Sequence, residues 1–236
     1  MINKAFELLL DAEKSWWYWG RKNAAKRVLI KFSKENGEAC DVGAGYGGMK
    51  EVFNKATRIV AYEPNREIGK VCEARGYSEV VYTEEILANM KGRFSVVGAF
   101  DVLEHIEDDK KFLSMIVSTL APGGLVVATV PAFQFLWGVH DVEHQHFRRY
   151  NKRQIKELFD GCGLEIDYAS YWNCLLFFPA ALVRLTGKSG GSALRLPEIL
   201  NKILMWYMSL ETSCIPSITF PFGTSIIVCG RVKQTS

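Results

Sequence analysis

The sequence has no apolar run long enough to cross a membrane. Its best stretch, Leu175 to Val183, is short and contains Pro179, whereas a spanning helix needs about 20 apolar residues. Thr212 to Gly230 carries no charge, but serines, threonines, two prolines and Gly223 interrupt it. It also lacks any CxxC pair. The six cysteines, at 40, 72, 162, 174, 214 and 229, sit in apolar stretches. They read as structural thiols in a reducing, cytoplasmic setting. There is no basic stripe. Net charge is +3, and basic residues cluster no more densely than in short pairs such as Arg148–Arg149 and Lys152–Arg153, so no nucleic-acid partner is expected. Met1 to Lys14 is too acidic and amphipathic for a signal peptide. No repeat or low-complexity segment occurs; residues 186–195, rich in Gly and Ser, are the one linker-like stretch.

At 236 residues the chain can bury one full core, or one core with a helical extension. From residue 39 onward the pattern alternates. Strands are expected at 39–43, 58–63, 79–82, 94–100 and 125–130, each short and apolar. The fourth is apolar throughout, as a strand buried on both faces should be. Between them, Met49, Val52, Phe53 and Ala56 have helical spacing, as do Ile68, Val71 and Cys72 before a capping Gly76. A helix is expected from Asp108 to Leu120. A further one begins at Asn151, where Gln154 completes a capping box and Ile155, Leu158 and Phe159 face inward. Strands 164–171 and 224–232 flank two apolar helical segments, 173–185 and 197–211. Alternating strands and helices predict a parallel sheet between helical layers.

The loop after the first strand is DVGAGYGG, 41–48. Glycines there let the backbone approach a ligand, and the amides that follow point at its polar end. Glu63 closes the second strand, 20 residues after Gly43, where a carboxylate can accept from both hydroxyls of a ribose. On these residues NAD and other adenosine cofactors remain alternatives, so an NAD-dependent oxidoreductase stays open. Asp41 weighs against NAD. Its carboxylate suits an ammonium-bearing ligand and repels a pyrophosphate. DVLEHIED, 101–108, follows the fourth strand, and LAPGG, 120–124, turns into the fifth.

Together DVGAGYGG, AYEPN, FDVLEHIED and LAPGG resemble class I S-adenosylmethionine-dependent methyltransferases, over residues 38 to 131. The resemblance implies a Rossmann-like α/β fold of seven mostly parallel strands sandwiched by helices, the last strand antiparallel. It implies one domain over 1–236, with an N-terminal helical cap at 1–36 and a helical insertion at 172–212. It assigns the cofactor to Asp41, Gly43, Ala44, Gly45 and Tyr46 in the loop, then Glu63 and Pro64, Glu84 towards adenine, and Phe100 with Asp101. EKSWWYWGRK, 13–22, resembles an N-terminal signature of a narrower group, with Ser15 where histidine is usual. That places Tyr18 over the cofactor and Arg21 at its carboxylate. A protein that binds the cofactor without chemistry is the remaining alternative.

HDVEHQHFRRY, 140–150, holds three of the four histidines. With the FLW before it, it resembles a WxxxDxxxGHxRRY stretch of the same group, Gln145 replacing the glycine. Following the fifth strand, it should lie beside the methyl donor. His146 is the first candidate for a general base, Asp141 its orienting partner, and His105 the rival. Arg148, Arg149, Tyr150, His140 and His144 are expected to face the acceptor, a small molecule, sugar or lipid-linked glycan. No metal is expected. His140, His144 and His146 with Asp141 and Glu143 have suitable donors, but histidines two apart diverge in extended backbone. The insertion is expected to cap the pocket, to pair two copies of the chain, or to meet lipid at an inner membrane surface with help from Arg184, Lys188 and Arg195.

Overall fold

The computed structural model describes residues 13–33, 37–185 and 197–233. Helix α1 (Trp16–Phe32) leads in, its first turn capped by the Ser15 hydroxyl, which accepts from Tyr18 N. Strand β1 (Glu38–Val42) runs into the glycine loop. The expected helix beyond it is instead a single 3-10 turn, Lys50–Phe53. Three glycines at positive φ use up the preceding residues in reversals. Met49, Val52 and Phe53 are buried all the same.

Then come β2 (Arg58–Tyr62), α2 (Arg66–Ala74), β3 (Glu79–Val81) and a short α3 (Glu84–Ala88) that no apolar periodicity announced. The Asn65 side chain caps α2 and the Thr83 hydroxyl caps α3. Strand β4 (Phe94–Phe100) precedes α4 (Asp109–Ser118), whose cap is Asp108. Strand β5 (Leu120–Pro131) is longer than expected, because pairing begins at Leu120, ahead of the Pro122–Gly124 turn, with a register shift. The polar loop contains α5 (Val139–Glu143). Next, α6 (Lys152–Gly161) carries the expected capping box, and its Ile155 and Phe159 are fully buried. Each such side chain stabilises the fold by about 1.5–3 kcal/mol. The chain ends with β6 (Leu164–Trp172), α7 (Phe177–Leu185), α8 (Glu198–Cys214) and β7 (Ser225–Val232).

The seven strands form one sheet in the order β3-β2-β1-β4-β5-β7-β6. Neighbours from β3 to β5 are parallel, and β7 runs antiparallel to both β5 and β6. This is the seven-stranded sandwich the resemblance implied. Side chains alternate across β4: Phe94, Val97 and Ala99 join the core under α4 and α6, while Val96 and Phe100 join the core under α1.

Helix α8 lies along α1 on that second face. Asn201 accepts from Trp16 N at 2.9 Å, and a Cβ on Gly20 would stand 2.7 Å from Met208 Cε. So the apolar residues of α8 do not share one face. Leu204 and Met208 are buried, while Ile199, Ile203, Trp206 and Leu210 are exposed. No helix among the described residues is long and apolar enough to cross a membrane. Lys188, Arg195 and the side chain of Arg184 lie outside the described residues.

Strand order reverses between β1 and β4. The ends of β1, β2, β4 and β5 therefore open a crevice at one sheet edge, where open α/β sheets bind ligands.

Candidate active site

The side of this crevice formed by the ends of β1 and β2 is made largely of backbone. Gly43 sits at φ +64, and a Cβ there would stand 2.6 Å from Val102, so only glycine fits. Gly45, at φ +55, has open space where a side chain would be. Glu63 is 8% exposed; its two oxygens accept from Gly45 N and Asn65 N, each at 2.9 Å. Asp41, buried under the loop, accepts from the Tyr77 hydroxyl at 2.5 Å. Burial pushes its carboxyl up to about 7, against the Tyr77 hydrogen bond and the Arg21 charge.

Arg21 reaches in from α1. Its guanidinium lies 4.7 Å from the Trp17 ring centre and 4.6 Å from that of Tyr18. Nη1 donates to Asp101 at 2.5 Å, while the buried Nε has no partner among the described residues. Thr129 holds the other Asp101 oxygen at 2.8 Å. Burial pushes the Tyr18 hydroxyl up to about 12, which keeps it neutral. Ala44 and Phe100 are buried, Tyr46 is half-buried, and Pro64 and Glu84 are exposed. The set fits an adenosyl amino acid: Glu63 for a ribose, Asp41 for an ammonium, and the Arg21 guanidinium for a carboxylate.

The opposite side is made of side chains. Helix α5 is the reason. The sequence reading took 140–146 as extended, but Asp141 turns back to accept from Gly138 N at 2.8 Å, and a helical turn forms. His140 and His144, four apart, lie with ring centres 4.0 Å apart and planes tilted by 38°. His144 and Gln145, the latter at φ +55, then end the turn, and His146 comes back over Asp141. His146 Nδ1 lies 2.9 Å from Asp141 Oδ1, and the two side chains are 7% and 0% exposed. Arg149 Nε donates to the same oxygen at 2.7 Å. These hydrogen bonds hold the Asp141 carboxyl below its ordinary range despite burial.

His105, the rival, stands edge-on to His146 with centres 4.6 Å apart; burial and the His146 charge lower its pKa. The structure thus brings His105, Asp141 and His146 together. It engages the arginines elsewhere: Arg148 pairs with Asp109 at 2.9 Å, and Arg149 with Asp141 and the Ala132 carbonyl. Tyr150 is buried, its hydroxyl 2.8 Å from Asp109. His140 and His144 are exposed.

Two residues passed over by the sequence reading belong here. Tyr77, which holds Asp41, follows Gly76 in a turn that nothing in the pattern marks. Glu104 had a signal, its place beside His105 just past β4. Its side chain is 1% exposed, and burial, then the Asp101 charge, raises its pKa well above the carboxylate range.

The methyltransferase-domain family matches residues 16–169, more than half the chain. The chain belongs to this family. A probable S-adenosylmethionine-dependent methyltransferase of Mycolicibacterium smegmatis is 24% identical over 77% of this chain and 70% of that protein. A ubiquinone biosynthesis O-methyltransferase of Caulobacter sp. is 34% identical, over 38% of this chain and 39% of that enzyme. The fold matches a methyltransferase from Archaeoglobus fulgidus with a TM-score of 0.56 at 16% identity, over 89% and 92% of the two chains. The protein is an S-adenosylmethionine-dependent methyltransferase, and S-adenosylmethionine is its cofactor. The NAD alternative is set aside.

Proposed function

We propose that the enzyme methylates an oxygen or nitrogen of a small molecule, sugar or lipid-linked glycan that gives up a proton at the His146–Asp141 pair. The observation that carries this reading is that pair: a nearly buried imidazole held at 2.9 Å by a fully buried carboxylate, on the same sheet edge as Glu63 and Asp101. When bound, S-adenosylmethionine supplies an electrophilic methyl carbon on a sulfonium.

The chain's residues do the rest. Glu63 accepts from the ribose hydroxyls, Gly43 to Tyr46 follow the nucleoside, and Asp41 with Arg21 orients the amino acid end. Asp141 fixes the His146 tautomer with the proton on Nδ1, so Nε2 is the basic nitrogen that faces the acceptor. The Phe133 ring stacks on Tyr171 at 4.7 Å and meets Phe135 and Phe177 at 5.4 Å each. These rings form an apolar wall beside the loop that suits an aromatic or prenylated acceptor. Arg148 and Arg149 hold the loop in place through Asp109 and Asp141. The resemblance of residues 13–22 and 140–150 to the narrower group's motifs supports the use of α1 as a cover over the cofactor.

The helical insertion supports a second reading, contact with a membrane that carries the acceptor. Ile199, Ile203, Trp206 and Leu210 form one exposed stripe along α8, and Phe178 and Leu182 are exposed on α7. Liposome co-sedimentation tests it; protein that stays in the supernatant with anionic vesicles at low salt removes it. Sedimentation as a dimer lost in Trp206→Ala would assign the stripe to a second copy instead. The main reading is tested by mass spectrometry of co-purified ligand, then turnover on phenolic, sugar and lipid-linked hydroxyls. Transfer only to carbon or sulfur acceptors would contradict it.

A further inference from the structure

We propose that Glu104, His105 and His146 bind one divalent cation of the zinc or manganese class. A carboxylate oxygen of Glu104 and one ring nitrogen of each histidine all lie within 4.8 Å of one another. Two imidazoles with one carboxylate are the donor set of catalytic metal sites that keep a position open for a reactant. Ligand atoms about 2.0–2.2 Å from a tetrahedral ion stand roughly 3.4 Å apart, so small side-chain rotations close the set.

A second observation points the same way. Glu104 is 1% exposed, and its Oε2 is buried with no hydrogen-bond partner among the described residues. Carboxylate oxygens withdrawn from water are normally paired, hydrogen-bonded or bound to a metal. The supports around the cluster also suit a cation. Asp141 occupies His146 Nδ1, which leaves Nε2 as the ligand atom, and carboxylates commonly orient metal-binding histidines in this way. His105 stands edge-on to His146 with ring centres 4.6 Å apart, close enough for both rings to face one ion. Glu104 and His105 share the turn Leu103–His105, and Phe147 N donates to the Glu104 carbonyl at 2.7 Å, so the two segments are tied together. This is not the histidine set weighed from the sequence. His140 and His144 point to each other and take no part.

The inference deepens the reading of an acceptor hydroxyl that ionises here, and rests on it. A cation in this position polarises the hydroxyl, whose proton leaves to water. The oxygen lone pair then forms the new O–C bond. The S–C bond breaks, and its electron pair stays on sulfur. His146 is then a ligand instead of a free base.

The test is calorimetric titration of chelator-treated protein with zinc chloride and, separately, manganese chloride. Wild type is run beside Glu104→Gln, His105→Ala, His146→Ala, Asp141→Asn and His140→Ala. The expected result is saturable binding of one ion per chain, weakened at least about tenfold in the three ligand variants. Asp141→Asn should weaken it about 10- to 100-fold, and His140→Ala should leave it unchanged. Glu104→Gln keeps the side chain's shape, and retained S-adenosylhomocysteine binding verifies its fold. Absence of saturable zinc and manganese binding in wild type, or undiminished binding by folded Glu104→Gln, overturns the proposal. If neither ion binds while His146→Ala still slows transfer, the cation falls and the histidine base stands. If an ion binds as expected while no hydroxyl is methylated, the acceptor reading falls and the cation site stands.

Discussion

The two sides of the crevice are built by different means. The side proposed for the cofactor depends on backbone: a loop in which Gly43 and Gly45 take positive φ, with Glu63 fixed by two amides. The side proposed for the acceptor depends on side chains converging from two segments, Asp101–His105 after β4 and Gly138–Tyr150 after β5, tied by Phe147 N to the Glu104 carbonyl. Backbone geometry that only glycine permits tolerates little change, so it announces itself in sequence. Side-chain convergence depends on a local turn, here α5, that five residues of ordinary composition decide.

If the two sides work separately, damage to one should spare the other. The largest effect is expected at His146. His146→Ala should lower turnover by about 10²–10⁴-fold, whether the imidazole acts as base or as ligand. Its S-adenosylhomocysteine affinity should stay within about threefold, a shift near the limit of additivity for separate sites. Comparable losses in turnover and cofactor affinity would merge the two sides into one.

A backbone test comes next. Gly43→Ala puts a Cβ 2.6 Å from Val102 at φ +64. Strain and clash should destabilise the fold by about 1–3 kcal/mol and weaken cofactor binding with it. Thermal unfolding and calorimetry measure both. An unchanged melting temperature would show that the loop is less constrained than the geometry implies.

The pH effect is smaller and confined to the cofactor side. Asp41 is pushed up to about 7 by burial. An unfolded carboxyl titrates near about 3.9. Because the folded value is raised, the stability it contributes is complete below the unfolded value and is lost as pH climbs through about 7. Cofactor binding that needs the ionised carboxylate runs the other way: affinity should rise with pH, by up to about tenfold per unit below 7, and level off above. Asp41→Asn should remove both slopes. A flat affinity profile in wild type would detach Asp41 from the cofactor.

The same contrast explains what could be read without coordinates. Strand positions, the sheet and the cofactor loop followed from apolar runs and glycines, because burial on both faces and positive φ both restrict residue choice. The helix expected at Met49–Ala56 shortened to one turn since periodicity reports burial, and Met49, Val52 and Phe53 are buried in either conformation. In α8, periodicity could not show that α1 covers only Leu204 and Met208. His146 and Asp141 were candidates by resemblance and by chemistry, and their meeting in the structure depends on Asp141 capping Gly138. That Asp109 and Asp141 pair with Arg148 and Arg149 could not be read from the sequence, because the partner of Arg148 lies on a separate segment and Asp141 reaches Arg149 only through the turn of α5.

The most direct test of the division is S-adenosylhomocysteine calorimetry on Glu63→Ala and His146→Ala side by side. Glu63→Ala removes charge-assisted hydrogen bonds to ribose and should cost about 1.5–3 kcal/mol of affinity, roughly 10- to 150-fold. His146→Ala should bind nearly as wild type does. Wild-type affinity in Glu63→Ala, or an equal loss in both variants, would contradict a crevice in which Glu63 holds the cofactor and the histidine loop serves the acceptor.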